Sequence, residues 1–125
     1  MLKKIESSNA PQAIGPYSQA IDNGQLIFVS GQLPIERTTG EFIKGDIKEQ
    51  TKQCILNIEY ILKEAGLSLK NVVKTTVLLD NINDFSNMNE IYSRHFTEPY
   101  PARAAYEVGK LPKNSLIEIE VIASR

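Results

Sequence analysis

Few side chains in this sequence could do chemistry, and the most informative is Arg103. It stands near the start of a strand-like run, Ala102 to Val108, whose alternation puts Arg103, Ala105 and Glu107 on one face. A second run, Leu116 to Ser124, carries Glu118 and Glu120 together on one face. The turn-forming stretch near Lys110 to Pro112 predicts a hairpin that sets the Arg103/Ala105 end opposite Glu118 and Glu120. An arginine beside an acid supports two readings. One is a cross-strand or intersubunit ion pair. The other is a guanidinium fork that clamps a substrate carboxylate, with a neighbouring carboxylate to handle water. The residue pattern leaves both open.

Other chemistries are poorly supplied. The chain holds one Cys, Cys54, and one His, His95, so an intrachain Cys/His zinc site is excluded. No EF-hand spacing, Walker A loop or dinucleotide glycine fingerprint occurs. Cys54 falls on the apolar face of a predicted helix and reads as inert core, since a reactive thiolate wants a polar, electropositive setting. His95, beside Phe96 near a helix end, reads as a packing or helix-terminus residue.

The elements that must position these residues follow from turn chemistry and periodicity. Asn23-Gly24 joins two strand-like runs, Tyr17 to Asp22 and Gln25 to Ser30, as a two-residue hairpin loop. Asp46 opens a helix, with Glu49 completing a capping box. Ile47, Thr51, Cys54, Ile55, Ile58, Ile61, Leu62 and Ala65 recur at helical spacing, and Gly66-Leu67 is a helix stop. Val72 to Asp80 is β-branched and strand-like. Asp84 is the expected cap of a second helix bearing Phe85, Met88, Tyr92, His95 and Phe96 on one face, ended by Pro99 and Pro101. With the two final strands the order is ββαβαββ, and Leu2 to Glu6 is a weaker extra strand. The expectation is one α+β domain over residues 1–125, a six-stranded mixed sheet with two helices on one face.

The two faces of the strands differ. Ile117, Ile119, Val121 and Ala123 point one way, under the helices, and Leu116, Glu118, Glu120 and Ile122 the other. Alternation from Val72 places Val73, Thr75, Val77 and Leu79 on one face and Val72, Lys74, Thr76 and Leu78 on the other. The face away from the helices is too apolar for water. The expectation is that part of it lies against another subunit.

Composition narrows the class further. The 125 residues are 42% apolar and 23% charged, and such a chain buries roughly two thirds of its unfolded surface without a metal or disulfide staple. Fourteen Lys+Arg against fifteen Asp+Glu give a net charge of −1, so no basic field exists to grip phosphate backbones. A single Cys excludes an internal disulfide and fits a reducing compartment. The start lacks the apolar run of a signal peptide, and no stretch is long enough to span a membrane. A cytoplasmic protein with neither nucleic acid nor membrane as partner is expected.

Several motifs together resemble the RidA (YjgF) family of imine deaminases, nearly end to end. They are Ala13-Ile14-Gly15-Pro16-Tyr17-Ser18-Gln19-Ala20, Ser30-Gly31-Gln32-Leu33-Pro34, Val73-Lys74-Thr75-Thr76-Val77, Asn83-Asp84-Phe85 with Asn89, Pro101-Ala102-Arg103 and Ile117-Glu118-Ile119-Glu120. The resemblance implies a homotrimer of chorismate-mutase-like subunits whose sheets form a central barrel, with clefts between subunits. It implies cofactor-free hydrolysis of 2-imino acids and their enamine tautomers to 2-keto acids and ammonia. By position it makes Arg103 the carboxylate-binding residue and Glu118 the acid that positions or activates water. By the same resemblance Tyr17, Ser30, Gly31 and Asn89 are expected to line the cleft, and the small residues Gly31 and Ala105 would let the backbone approach the ligand. Many members of the family carry a cysteine where this chain has Ala105, so no thiol can be the nucleophile here. A non-catalytic trimer binding small carboxylic acids in the same clefts is the rival reading. RNA cleavage, ascribed to some members of the family, is disfavoured by the neutral charge.

Overall fold

The structure, a computed structural model, describes residues 1–125. Its most strongly encoded element is helix α1, Ile47–Glu64. The Asp46 carboxylate accepts from the Lys48 amide at 2.9 Å, and Glu49 reaches back to the Asp46 amide at 3.2 Å. These bonds satisfy amides that have no partner inside the helix. At the far end Gly66 adopts φ +75°. Its amide and that of Leu67 return to the carbonyls of Lys63 and Leu62, which closes the helix in a left-handed stop.

Six strands form one mixed sheet: β1 Lys3–Ile5, β2 Ala20–Asp22, β3 Leu26–Gln32, β4 Val72–Leu79, β5 Ala102–Glu107 and β6 Ile117–Ser124. Their order across the sheet is β1-β2-β3-β6-β4-β5. Helix α2, Phe85–His95, connects β4 to β5, and these two strands run parallel, as a helical crossover requires. All other pairings are antiparallel. The core lies between one face of the sheet and the two helices. Ile27, Val77, Leu79, Ile117 and Ile119 meet Ile55, Ile58, Leu62, Met88 and Phe96 there.

Four local expectations are corrected. β2 starts at Ala20, and Tyr17 belongs to an exposed loop before it. The β2–β3 connection spans Asn23, Gly24 and Gln25; only Gly24 takes a positive φ, of +103°. The Asp84 side chain caps nothing. Instead Asn81 accepts from the Asn83 amide at 2.9 Å and starts a single 3-10 turn, Ile82–Asp84, that feeds α2. Finally, a bulge near Val73 shifts the β4 register, so Val72 is buried and Val73 exposed, and the expected faces hold only from Lys74 onward.

The larger correction concerns the last two strands. They do not form a hairpin: β4 lies between β5 and β6. Parallel pairing sets Arg103 beside Thr75 and Ala105 beside Val77, whose side chains face the helices. Arg103 therefore faces α2. Glu118 and Glu120 sit beside Leu78 and Thr76 on the opposite, open face. That face also carries Phe28, Lys74, Tyr106 and Ile122, with Phe28 and Tyr106 exposed. β5 is an edge strand with no partner on its outer side. No helix is long and apolar enough to cross a membrane.

Candidate functional site

Two separate clusters contain the residues singled out in the sequence. The first surrounds Arg103. Its Nη1 donates to Asn89 Oδ1 at 2.7 Å, and its guanidinium lies over the rings of Tyr92 (4.7 Å to the centroid) and Phe85 (5.4 Å). Phe85, Asn89 and Tyr92 are spaced four and three residues apart, so α2 presents them on one face. Arg103 is exposed and bonds to no carboxylate in its chain, which removes the cross-strand ion pair as its partner. A cavity of about 510 Å³ opens beside it, with Ser93, Tyr100 and Pro101 in its lining. Ala105 points under α2 and packs on the core.

The second cluster is on the other side of the sheet. Between Val29 and Gln32 the β3 ladder shifts register, so Ser30 and Gly31 together oppose the single residue Glu120 of β6. The bulge brings Gly31 under Glu118. A Cβ at position 31 would lie 2.1 Å from Glu118 Oε2, so only glycine leaves room for this carboxylate. Glu118 is half-buried, and desolvation pushes its pKa up; the negative charge of Glu120 raises it further. Ser30 Oγ donates to the Ser18 carbonyl at 2.6 Å, and the Ser30 amide bonds Gln19 at 2.9 Å. The Ser30 hydroxyl thus holds the loop that carries Tyr17, which is 54% exposed.

One chain therefore brings Arg103, Asn89 and Ala105 together on one side of the sheet, and Ser30, Gly31 and Glu118 on the other, with Tyr17 in the exposed loop that Ser30 ties down. It does not bring Arg103 to Glu118. Sequence reading missed the two rings under Arg103 as its support, although the Phe85/Asn89/Tyr92 spacing was visible. No group of three or more His, Cys, Asp or Glu side chains could hold a metal ion. Cys54 is fully buried, with Sγ 4.0 Å from the Ile117 carbonyl, and burial raises its pKa well above the ordinary thiol value. His95 Nδ1 lies 3.0 Å from the Ile91 carbonyl, as a helix-terminus residue would.

Comparison with known proteins defines the class. Residues 7–125 match the family described as Endoribonuclease L-PSP. The chain belongs to this family, the RidA/YjgF family of the motif resemblance. It is 60% identical over 119 residues to a RutC family protein of Pyrococcus abyssi, covering 95% of this chain and 94% of that protein. It is 50% identical over 119 residues to the human 2-iminobutanoate/2-iminopropanoate deaminase, covering 95% of this chain and 87% of the relative. The crystal structure of E. coli TdcF with bound serine superposes with a TM-score of 0.93 at 42% identity, covering 98% of both chains.

Proposed function

We propose that this protein is a cofactor-independent hydrolytic deaminase of 2-imino acids and their enamine tautomers, such as 2-aminoacrylate, 2-iminobutanoate and 2-iminopropanoate. The observation that carries the reading is Arg103: a guanidinium oriented by an amide and two aromatic rings, with no acid bonded to it. Such a group is ready for a planar carboxylate, which it can bind through two parallel bonds. The name of the human relative and the serine held by the TdcF neighbour support a small amino-acid-derived ligand.

The chemistry follows from the groups available. An imine carbon is already electrophilic, so the site must fix the carboxylate, orient one water and move protons. Arg103 fixes the carboxylate. Glu118 takes a proton from water as its oxygen bonds to the imine carbon, and returns that proton to the imine nitrogen to give the neutral carbinolamine. Through Glu118 the carbinolamine hydroxyl proton then passes to the amino group as the C–N bond breaks, which releases ammonia and leaves the C=O of the 2-keto acid. Ala105 offers no nucleophile and Cys54 is sealed in the core, so water attacks directly and no covalent enzyme intermediate forms.

Arg103 and Glu118 lie on opposite faces of one sheet, so this reaction needs two chains. In the proposed homotrimer, Arg103, Asn89 and Ala105 of one protomer face Tyr17, Ser30, Gly31 and Glu118 of its neighbour. The unpaired edge of β5 and the exposed Phe28 and Tyr106 favour such packing. A trimer that only binds small carboxylic acids would use Arg103 equally but would not need Glu118. The test is to supply threonine or serine with a dehydratase, trap the released imine with semicarbazide, and ask whether this protein diverts it to keto acid and ammonia. Faster keto-acid release supports the deaminase; ligand binding without acceleration supports the binder.

A further inference from the structure

Arg103 rests on a closed support rather than on a single contact. In the sheet it is the register neighbour of Thr75. The Thr75 hydroxyl lies 2.8 Å from the Tyr92 hydroxyl, both residues being buried. The Tyr92 ring returns under the guanidinium at 4.7 Å and is itself stacked on Phe96, centroids 4.4 Å apart. Phe85 adds a second ring, and Asn89 takes Nη1. Strand β4, helix α2 and strand β5 are thus joined through one guanidinium. A flexible, exposed arginine would otherwise lose considerable rotamer freedom on binding a ligand. Here that freedom is already spent in the folded chain, on groups that carry no charge and cannot compete with a carboxylate.

We propose that Tyr92 and Phe85 are positioning residues for carboxylate recognition. They fix Arg103 so that, with Nη1 bonded to Asn89, the Nε–Nη2 edge is the one presented to the ligand. The proposal rests on the reading of Arg103 as the carboxylate site. It also specifies the ligand class: a planar carboxylate matches that edge with two bonds, whereas a primary amine or neutral amide does not.

The test uses the full-length protein and 2-oxobutanoate, a stable keto-acid product, with affinity measured by calorimetry alongside KM and kcat. Phe85→Leu and Tyr92→Leu are expected to raise the dissociation constant and KM about tenfold each, with a much smaller change in kcat. Tyr92→Phe, which restores the ring without the bond to Thr75, should recover most of the affinity lost in Tyr92→Leu. In an Arg103→Ala background, Phe85→Leu should cause no further loss of affinity. Should Tyr92→Leu fail to fold, Phe85→Leu carries the test, because Phe85 is only partly buried. The proposal is overturned if Arg103→Ala weakens binding but the ring substitutions do not, or if their effect persists in the Arg103→Ala background. If Arg103→Ala leaves binding and turnover intact, the carboxylate site itself has been misassigned and the support argument falls with it.

Discussion

Replacing Gly31 with alanine isolates the placement of Glu118. The added Cβ would stand 2.1 Å from Oε2, 2.9 Å from Cδ and 3.1 Å from Cγ of Glu118. Carbon contacts settle at about 3.5–4 Å, so the carboxylate must retreat by about 1 Å or more. All three colliding atoms belong to the far part of a flexible side chain. Gly31 does not use a positive φ, so alanine suits its backbone. The strand should therefore survive and the melting temperature should move by only a few degrees. A misplacement of about 1 Å can cost on the order of 10²-fold in rate, or about 2.7 kcal/mol in barrier height. Steady-state keto-acid release, with 2-iminobutanoate generated in situ, should show that fall in kcat. Affinity for 2-oxobutanoate, read by calorimetry, should hold because Arg103 is untouched. A Gly31→Ala protein with kcat within a few-fold of the parent would refute the reasoning, since Glu118 cannot remain where it is.

Other substitutions probe the remaining assignments. Arg103→Lys keeps the charge but loses the fork and its ring contacts, and should cost about 2–4 kcal/mol in kcat/KM; near-parental activity would return Arg103 to a surface role. Cys54→Ser should keep kcat and lower stability by about 1 kcal/mol, because a hydroxyl enters an apolar core; calorimetric melting and turnover together check this. Glu118 must be ionised to accept a proton, so activity should rise with pH through a limb above the ordinary carboxyl range. The same raised pKa makes the ionised form the costly one, so this group destabilises the fold as pH rises through that limb. Glu120→Gln removes a like charge and should move the limb to lower pH; an unmoved pH profile would detach Glu120 from the titration.

Legibility differed by element for physical reasons. Helix α1 was readable because its signals are local: a capping box at Asp46 and Glu49, a stop at Gly66, and an apolar stripe between them. The expected β5–β6 hairpin does not form, because strands adjacent in sequence need not be adjacent in the sheet. The β4–α2–β5 order already implied a parallel pair, and insertion of β6 next to β4 is a tertiary choice without a local signal. The bulge at Val73 inverted two residues because one extra residue changes the face of every side chain before it. The second helix is entered through a 3-10 turn capped by Asn81 rather than Asp84, and that extra turn has no apolar periodicity to announce it. For the candidate site, the residues of interest were identifiable, but their distribution over two faces was not. That separation became visible only with the register of β4 against both neighbours.

The separation also yields the most direct test of a deaminase site shared between protomers. Arg103→Ala and Glu118→Gln proteins, each inactive alone, would be mixed in equal amounts, unfolded together and refolded. A site built from Arg103 of one protomer and Glu118 of the next regains both groups in about a quarter of random pairings in a cyclic assembly. Keto-acid release from 2-iminobutanoate should therefore recover to about a quarter of the parental rate. A refolded mixture of native size that stays as inactive as its components would contradict the account.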